Sequence, residues 1–181
     1  GNSWIDVKQG TDANLGILLI GDSNSSSGTI DWVDGVGVMN MYDNASVTAR
    51  QVRVGNNSTG NGTLNISSTT GTAHITVTQW FGVGSGGSEG TLNIGDGALI
   101  TQNSNTFTVG DNRSAGDFGV GTVNMNGGTI NRSASTSIMA IGYIGGQGVW
   151  NHNGGTLLNN TAGVQIGEGR AATREGGFGE L

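Results

Sequence analysis

The sequence predicts an all-β parallel β-helix, a β-solenoid of about six coils with three short strands per coil, with residues 1–181 forming one domain. Three observations carry this expectation. An apolar phrase ending in glycine occurs six times, and a second phrase beginning with glycine alternates with it. Inside both phrases apolar residues keep a period of two, the period of a strand with one buried face.

The first phrase reads "LLIG" at 18–21, "VRVG" at 52–55, "FGVG" at 81–84, "FTVG" at 107–110, "MAIG" at 139–142 and "VQIG" at 164–167. Its closing glycines recur at an elastic period of about 29 residues, as expected when fixed strands are joined by loops of variable length. The residue before each glycine is Ile20, Val54, Val83, Val109, Ile141 or Ile166, and two positions earlier stand Leu18, Val52, Phe81, Phe107, Met139 and Val164. Both columns are expected to face inward. The residues between them, Leu19, Arg53, Gly82, Thr108, Ala140 and Gln165, are expected on the opposite face.

The second phrase reads "GTLNI" at 62–66 and 90–94, "GTVNM" at 121–125 and "GVWNH" at 148–152. Its inward columns are Leu64, Leu92, Val123, Trp150 and Ile66, Ile94, Met125, His152. Asn65, Asn93, Asn124 and Asn151 then point away from the core, flanked by Thr63, Thr91 and Thr122. Near the start two registers fit, "GTIDW" from Gly28 and "GVMNM" from Gly37 with Asn40, inside an insertion around 22–44. A third strand follows each second phrase ("ASVTA" at 45–49, "HITVT" at 74–78, "ALITQ" at 98–102), and segment 168–181 is irregular.

One such coil cannot bury its own core, so coils must stack, like residue on like, about 4.8 Å apart, with backbones bonded to the coils on either side. A β-sandwich would need antiparallel hairpins of distinct strands, and a propeller blade usually needs about 40 residues or more.

Composition narrows the function. The chain has 36 Gly, no Pro, no Cys and 11% charged residues. Collagen would require Gly at every third position with abundant Pro, and disordered chains usually combine high net charge with few aliphatic residues. No apolar run approaches the roughly 18 residues of a membrane-spanning helix. The seven cations, Lys8, Arg50, Arg53, Arg113, Arg132, Arg170 and Arg174, are scattered in a chain of net charge −6, which argues against a nucleic-acid groove.

The alternation of "xVG" with "GTLNIxxGAxI", from about residue 15 to 168, resembles the repeat of bacterial autotransporter (type V secretion) passenger domains and PEP-CTERM-associated surface proteins. The resemblance implies a right-handed parallel β-helix at or beyond the cell surface. Sparse Lys with abundant Asn, Thr and Gly fits an extracellular protein as well.

Catalysis finds little to work with. Glycoside hydrolysis needs two carboxyls about 5–9.5 Å apart, and the densest group, Asp31, Asp34 and Asp43 beside Trp32 and Tyr42, reads better as an acidic insertion loop. Asp22, Asp111 and Glu168, each following a closing glycine, read as turn caps rather than calcium ligands. His74 and His152 read as packed or terminal-turn histidines rather than bases or ligands, and the G-x-G-x-x-G match at 82–87 precedes no helix. We therefore expect no enzyme and no catalytic, cofactor or metal residues.

Two roles remain. The first is a structural protein that associates with itself head to tail into a filament or forms part of a stalk, the alternative being that residues 1–181 belong to a longer solenoid whose neighbouring turns cover both ends. "GNSWI" from Gly1 and "GFGEL" from Gly177 both fall in the phase of the second phrase, with apolar Trp4 and Ile5 at one end and Phe178 and Leu181 at the other. The second is a glycan-binding adhesin module using the ladder Thr63, Asn65, Thr91, Asn93, Thr122, Asn124 and Asn151. A carbohydrate-active enzyme is the least supported reading.

Overall fold

The computed structural model describes residues 2–7, 12–22, 30–31, 35–57, 59–112, 118–159, 162–168 and 178–181; for 2–14, 30–31 and Glu168 the description is of the backbone alone. The described chain is all β, with every strand pairing parallel. About five turns lie between Gly21 and Gly167, slightly fewer than the six coils expected, because six closing strands bound five turns.

The strands are β1 (Asn2–Val7), β2 (Asp12–Asp22), β3 (Ile30–Asp31), β4 (Val36–Met41), β5 (Ser46–Asn56), β6 (Asn61–Ile66), β7 (Ala73–Val77) and β8 (Phe81–Ser85). They continue with β9 (Glu89–Ile94), β10 (Ala98–Gln102), β11 (Phe107–Asp111), β12 (Val120–Asn131), β13 (Met139–Tyr143), β14 (Gln147–Leu158), β15 (Val164–Glu168) and β16 (Phe178–Glu180). Second phrases stack in the order β1, β4, β6, β9, β12, β14, β16. First phrases stack as β3, β2, β5, β8, β11, β13, β15. The third-strand stack borrows from longer strands: β2 and β5 run through from third to first phrase, and β12 and β14 from second to third. In β5 only Arg50 and Gln51 separate the two parts, so the corner is a bend in one strand.

The register settles the ambiguity near the start. Gly37 pairs with Gly62 and Asn40 with Asn65, so "GVMNM" is the second phrase, and Gly28 lies outside the described residues. Both expected end phases shift by two residues. Ser3 rather than Gly1 pairs with Gly37, and Gly179 rather than Gly177 pairs with Gly148.

The inward columns form one core. Leu18, Ile20, Val52, Val54, Phe81, Val83, Phe107, Val109, Met139 and Ile141 are buried, as are Leu64, Leu92, Val123 and Trp150 facing them. Phe81 and Phe107, on successive coils, stack with centroids 4.7 Å apart and planes 7° apart, and Trp150 tilts against Phe107 at 5.9 Å.

The expectation of one-sided burial in the first phrase fails in the middle of the stack. All five residues of β8, β11 and β13 are buried, including the outward Gly82, Thr108 and Ala140. Trp80 explains part of this. Its ring lies where a Gly82 side chain would be, and its Nε1 donates to Thr108 Oγ1 at 3.2 Å. The Arg53 guanidinium then covers the indole, 4.8 Å from the ring centroid. Small residues in the outward column are what make room for this second layer.

At one corner the first- and second-phrase stacks meet backbone to backbone. The closing glycines have φ between 66° and 71°, and each is wedged against the opening glycines of the coils that follow. A Cβ on Gly121 would strike the Val83 carbonyl and the Gly110 amide, and one on Gly110 would strike the Gln147 carbonyl. Gly121→Ala is therefore expected to cost upwards of about 3 kcal/mol in equilibrium unfolding, since no side chain can move aside. Gly16→Ala, with nothing within 4 Å of the added methyl, should stay within about 0.5 kcal/mol of the parent.

Candidate functional site

The most regular surface is the outward face of the second-phrase stack. Backbone pairing places Asn40, Asn65, Asn93, Asn124 and Asn151 in one row. Their amides bond in series: Asn65 Nδ2 donates to Asn40 Oδ1 at 2.7 Å, Asn93 to Asn65 at 2.7 Å, Asn124 to Asn93 at 2.8 Å and Asn151 to Asn124 at 2.8 Å. A shorter rung, Asn153 Nδ2 to Asn126 Oδ1 at 2.9 Å, lies further along the same strands.

Beside this row Thr63, Thr91 and Thr122 stand in register, half-buried, flanked in the same column by Val38 on one side and Val149 on the other. The ladder residues named from the sequence are thus brought together on one face. Their chemistry is partly committed, however. An amide offers two donors and two lone pairs, and each interior rung spends one of each on its neighbours. Each of the three coils carrying Thr63, Thr91 and Thr122 presents one further amide donor, one lone pair and a threonine hydroxyl, repeated at the strand spacing of about 4.8 Å.

The end residues divide differently. Trp4 and Ile5 pair with Val38 and Met39, which puts their backbone in the second-phrase stack. At the other end Phe178 is 60% and Leu181 69% exposed. The uncovered surface is broader than those two residues. Val164 and Ile166 are 42% and 47% exposed, although their column mates Met139 and Ile141 are fully buried. His152, placed in the inward column and expected to be packed or on a terminal turn, is exposed on the last turn: the overlying β16 pairs only with Gln147–Val149 and stops short of it.

The acidic cluster does not assemble into a described site. Trp32 and Asp34 lie outside the described residues, and Asp43 accepts from Thr70 Oγ1 at 3.0 Å. Asp22 is buried and accepts from Asn56 Nδ2 at 3.2 Å and Asn57 Nδ2 at 2.6 Å, so it ties adjacent coils together rather than capping only its own turn. Among the described residues no three His, Cys, Asp or Glu side chains converge to hold a metal. His74 Nε2 lies 3.0 Å from Thr101 Oγ1, and burial lowers its pKa below the ordinary value.

Arg132 was not singled out by its sequence context, yet it organises a corner. It is fully buried, just past the third-strand pairing of Asn131 with Thr101, and level with Gln102. Its Nε donates to Gln102 Oε1 at 2.7 Å and its Nη1 to Asn159 Oδ1 at 2.8 Å. Nη2 reaches the carbonyls of Ser137 and Ile138, both at 3.0 Å, and of Asn105 at 3.1 Å. Desolvation lowers its pKa to about 10, so it stays cationic near neutral pH and serves as a five-donor staple for corner acceptors. A charged residue ending an otherwise apolar-periodic strand was the available signal.

No family model, curated protein or solved structure matches the chain.

The geometry assigns the Asn row a structural share that can be measured. Asn93→Ala should leave Asn65 Oδ1 and Asn124 Nδ2 without their ladder partner and lower unfolding free energy by about 1–2 kcal/mol. Asn151→Ala, at the exposed end of the row, should cost less than about 0.5 kcal/mol in the same denaturant titration.

Proposed function

We propose that this protein is a non-catalytic structural β-solenoid, a rigid segment of a filament or stalk at or beyond the cell surface, that associates end to end with copies of itself. The observation that carries the reading is the change in exposure along a single column. Ile20, Val54, Val83, Val109 and Ile141 are 0–1% exposed, and Ile166 is 47% exposed. Among the described residues the surface that is core elsewhere is left open at β15, where a second copy or a further coil of the same chain would cover it. Open solenoid ends expose both apolar columns and unpaired backbone, and a heterologous contact that covers them propagates as a filament. The extracellular setting is supported by composition and by the resemblance to surface β-helical repeats.

A second reading, a module that binds uncharged glycans, is favoured by the register of Thr63, Thr91 and Thr122 beside the Asn row. Its weakness is that half of the amide hydrogen-bonding capacity is already used within the row.

Sedimentation at increasing concentration separates the two. The parent chain should form larger species as concentration rises. Ile166→Lys should remain monomeric with a thermal midpoint close to the parent, because the residue is exposed in the isolated chain. A parent chain that stays monomeric at every concentration, and binds a glycan array through Thr91, would move the conclusion to the second reading.

A further inference from the structure

The outward face of the second-phrase stack repeats in one direction only. Along any one strand the outward side chains differ: Glu89, Thr91 and Asn93 on β9, and Val120, Thr122 and Asn124 on β12. Across the strands the chemistry recurs, because the threonine row and the Asn40-to-Asn151 row each advance by one strand spacing, about 4.8 Å, per coil. Val38 and Val149 continue the threonine row with the same β-branched shape, so a line of γ-methyl groups runs beside the line of amides. From β4 to β14 the one charged side chain in these rows and the row next to them is Glu89, which accepts from Asn61 Nδ2 at 3.3 Å.

The polar groups of this wall are available and held in place. No other described residue bonds the hydroxyls of Thr63, Thr91 and Thr122. The third-strand wall also carries outward threonines, but there the Thr76 and Thr101 hydroxyls lie 3.3 and 3.0 Å from His74 Nε2 and are engaged by it. Bonding along the Asn row fixes the amides of Asn65, Asn93 and Asn124, and their second N–H and second lone pair are directed off the row. The ladder that takes up half of each amide therefore orients the other half, and a ligand that meets it immobilises no asparagine rotamer on binding.

We propose that this wall binds a flat, uncharged, β-1,4-linked polysaccharide chain laid along the stack, with about one sugar to each coil. The proposal rests on the glycan-binding reading above and names the ligand and its direction. A β-1,4 chain with equatorial substituents is an extended ribbon that advances per sugar by slightly more than the strand spacing of about 4.8 Å. Its C–H groups lie on the ring faces and its hydroxyls on both edges, so the flip of alternate rings still leaves a hydroxyl on either side. Laid with its rings over the methyl line, it turns one edge to the Asn row, where each sugar meets a donor and a lone pair of the same orientation as the last. An α-linked chain coils away from a flat wall, and an acidic chain is disfavoured by Glu89 and by a net charge of −6. The Thr–Asn pair recurs on three coils and the amide row on five, so contact grows with chain length to about five sugars and then stops.

The test titrates the isotope-labelled chain with cello- and chito-oligosaccharides of increasing length, from disaccharide to hexasaccharide, and with maltohexaose as the α-linked control, following the side-chain amide resonances of the Asn row. For at least one β-1,4 series Kd should fall about tenfold or more from disaccharide to pentasaccharide and change little at the hexasaccharide, with the amides of Asn65, Asn93 and Asn124 shifting together. Thr91→Val, which keeps the methyl and removes the hydroxyl, should weaken pentasaccharide binding about three- to tenfold, and Thr91→Lys should abolish it. Thr76→Ala, on the third-strand wall, should leave it unchanged, and thermal melts of all three variants check that each is folded. Maltohexaose binding as tightly, or shifts confined to Glu89, Thr91 and Asn93 of one strand, would overturn the ribbon and leave glycan binding standing. No binding of either β-1,4 series would also overturn the ribbon, and a glycan array on which the parent chain finds no ligand would overturn the reading beneath it.

Discussion

The structure depends on one contact, the meeting of two backbones at the glycine corner. The closing glycine of one coil sits against the opening glycines of the next two, with amide and carbonyl groups where a Cβ would be. Closing glycines take left-handed φ near 70°, which turns the chain sharply at the end of the first phrase. Opening glycines need no unusual φ; they need the space. The two columns therefore exist for different reasons, and replacing either disturbs the same seam.

That seam aligns everything else. With first- and second-phrase stacks interlocked at one corner, a slip of one residue in either would move glycine out of contact and reverse the inward and outward faces of its strand. Phe81 can stack on Phe107, and each asparagine can reach the one on the adjacent coil, because every coil starts from the same point. The opposite corner is less uniform. There Arg132 and Gln102 take positions that Ala49 and Val77 fill in earlier coils, and the corner carbonyls are satisfied by a buried guanidinium. Regularity at one corner lets the other vary.

Much of this was legible in the residues. The six closing glycines and the invariant Ile/Val column predicted the stacked, parallel architecture, because a period of two inside a period of about 29 leaves few other ways to bury the apolar face. The Asn row was legible as outward, but its bonding into a continuous ladder required the register. Side-chain alternation did not anticipate the burial of Gly82, Thr108 and Ala140, since it describes one strand and not the loop residue Trp80 that returns over it. The end phases were displaced by two residues because Gly1 and Gly177 looked like opening glycines, whereas the seam accepts Ser3 and Gly179 at those positions. Arg132 was obscured by its being one of several scattered cations; only its place at the end of an inward column set it apart.

The most direct measurement of the central claim is the proton–proton distance across the seam. Isotope-edited NOE spectra of the folded chain should show contacts between the Gly121 Hα protons and the Gly110 amide proton, and between Gly148 and the amide of Gly142, pairs whose backbones the structure brings together. Strong cross-peaks at both pairs are the predicted result. Their absence, in a sample whose strand-to-strand contacts within each stack are present, would contradict the interlocked corner and with it the register of the coils.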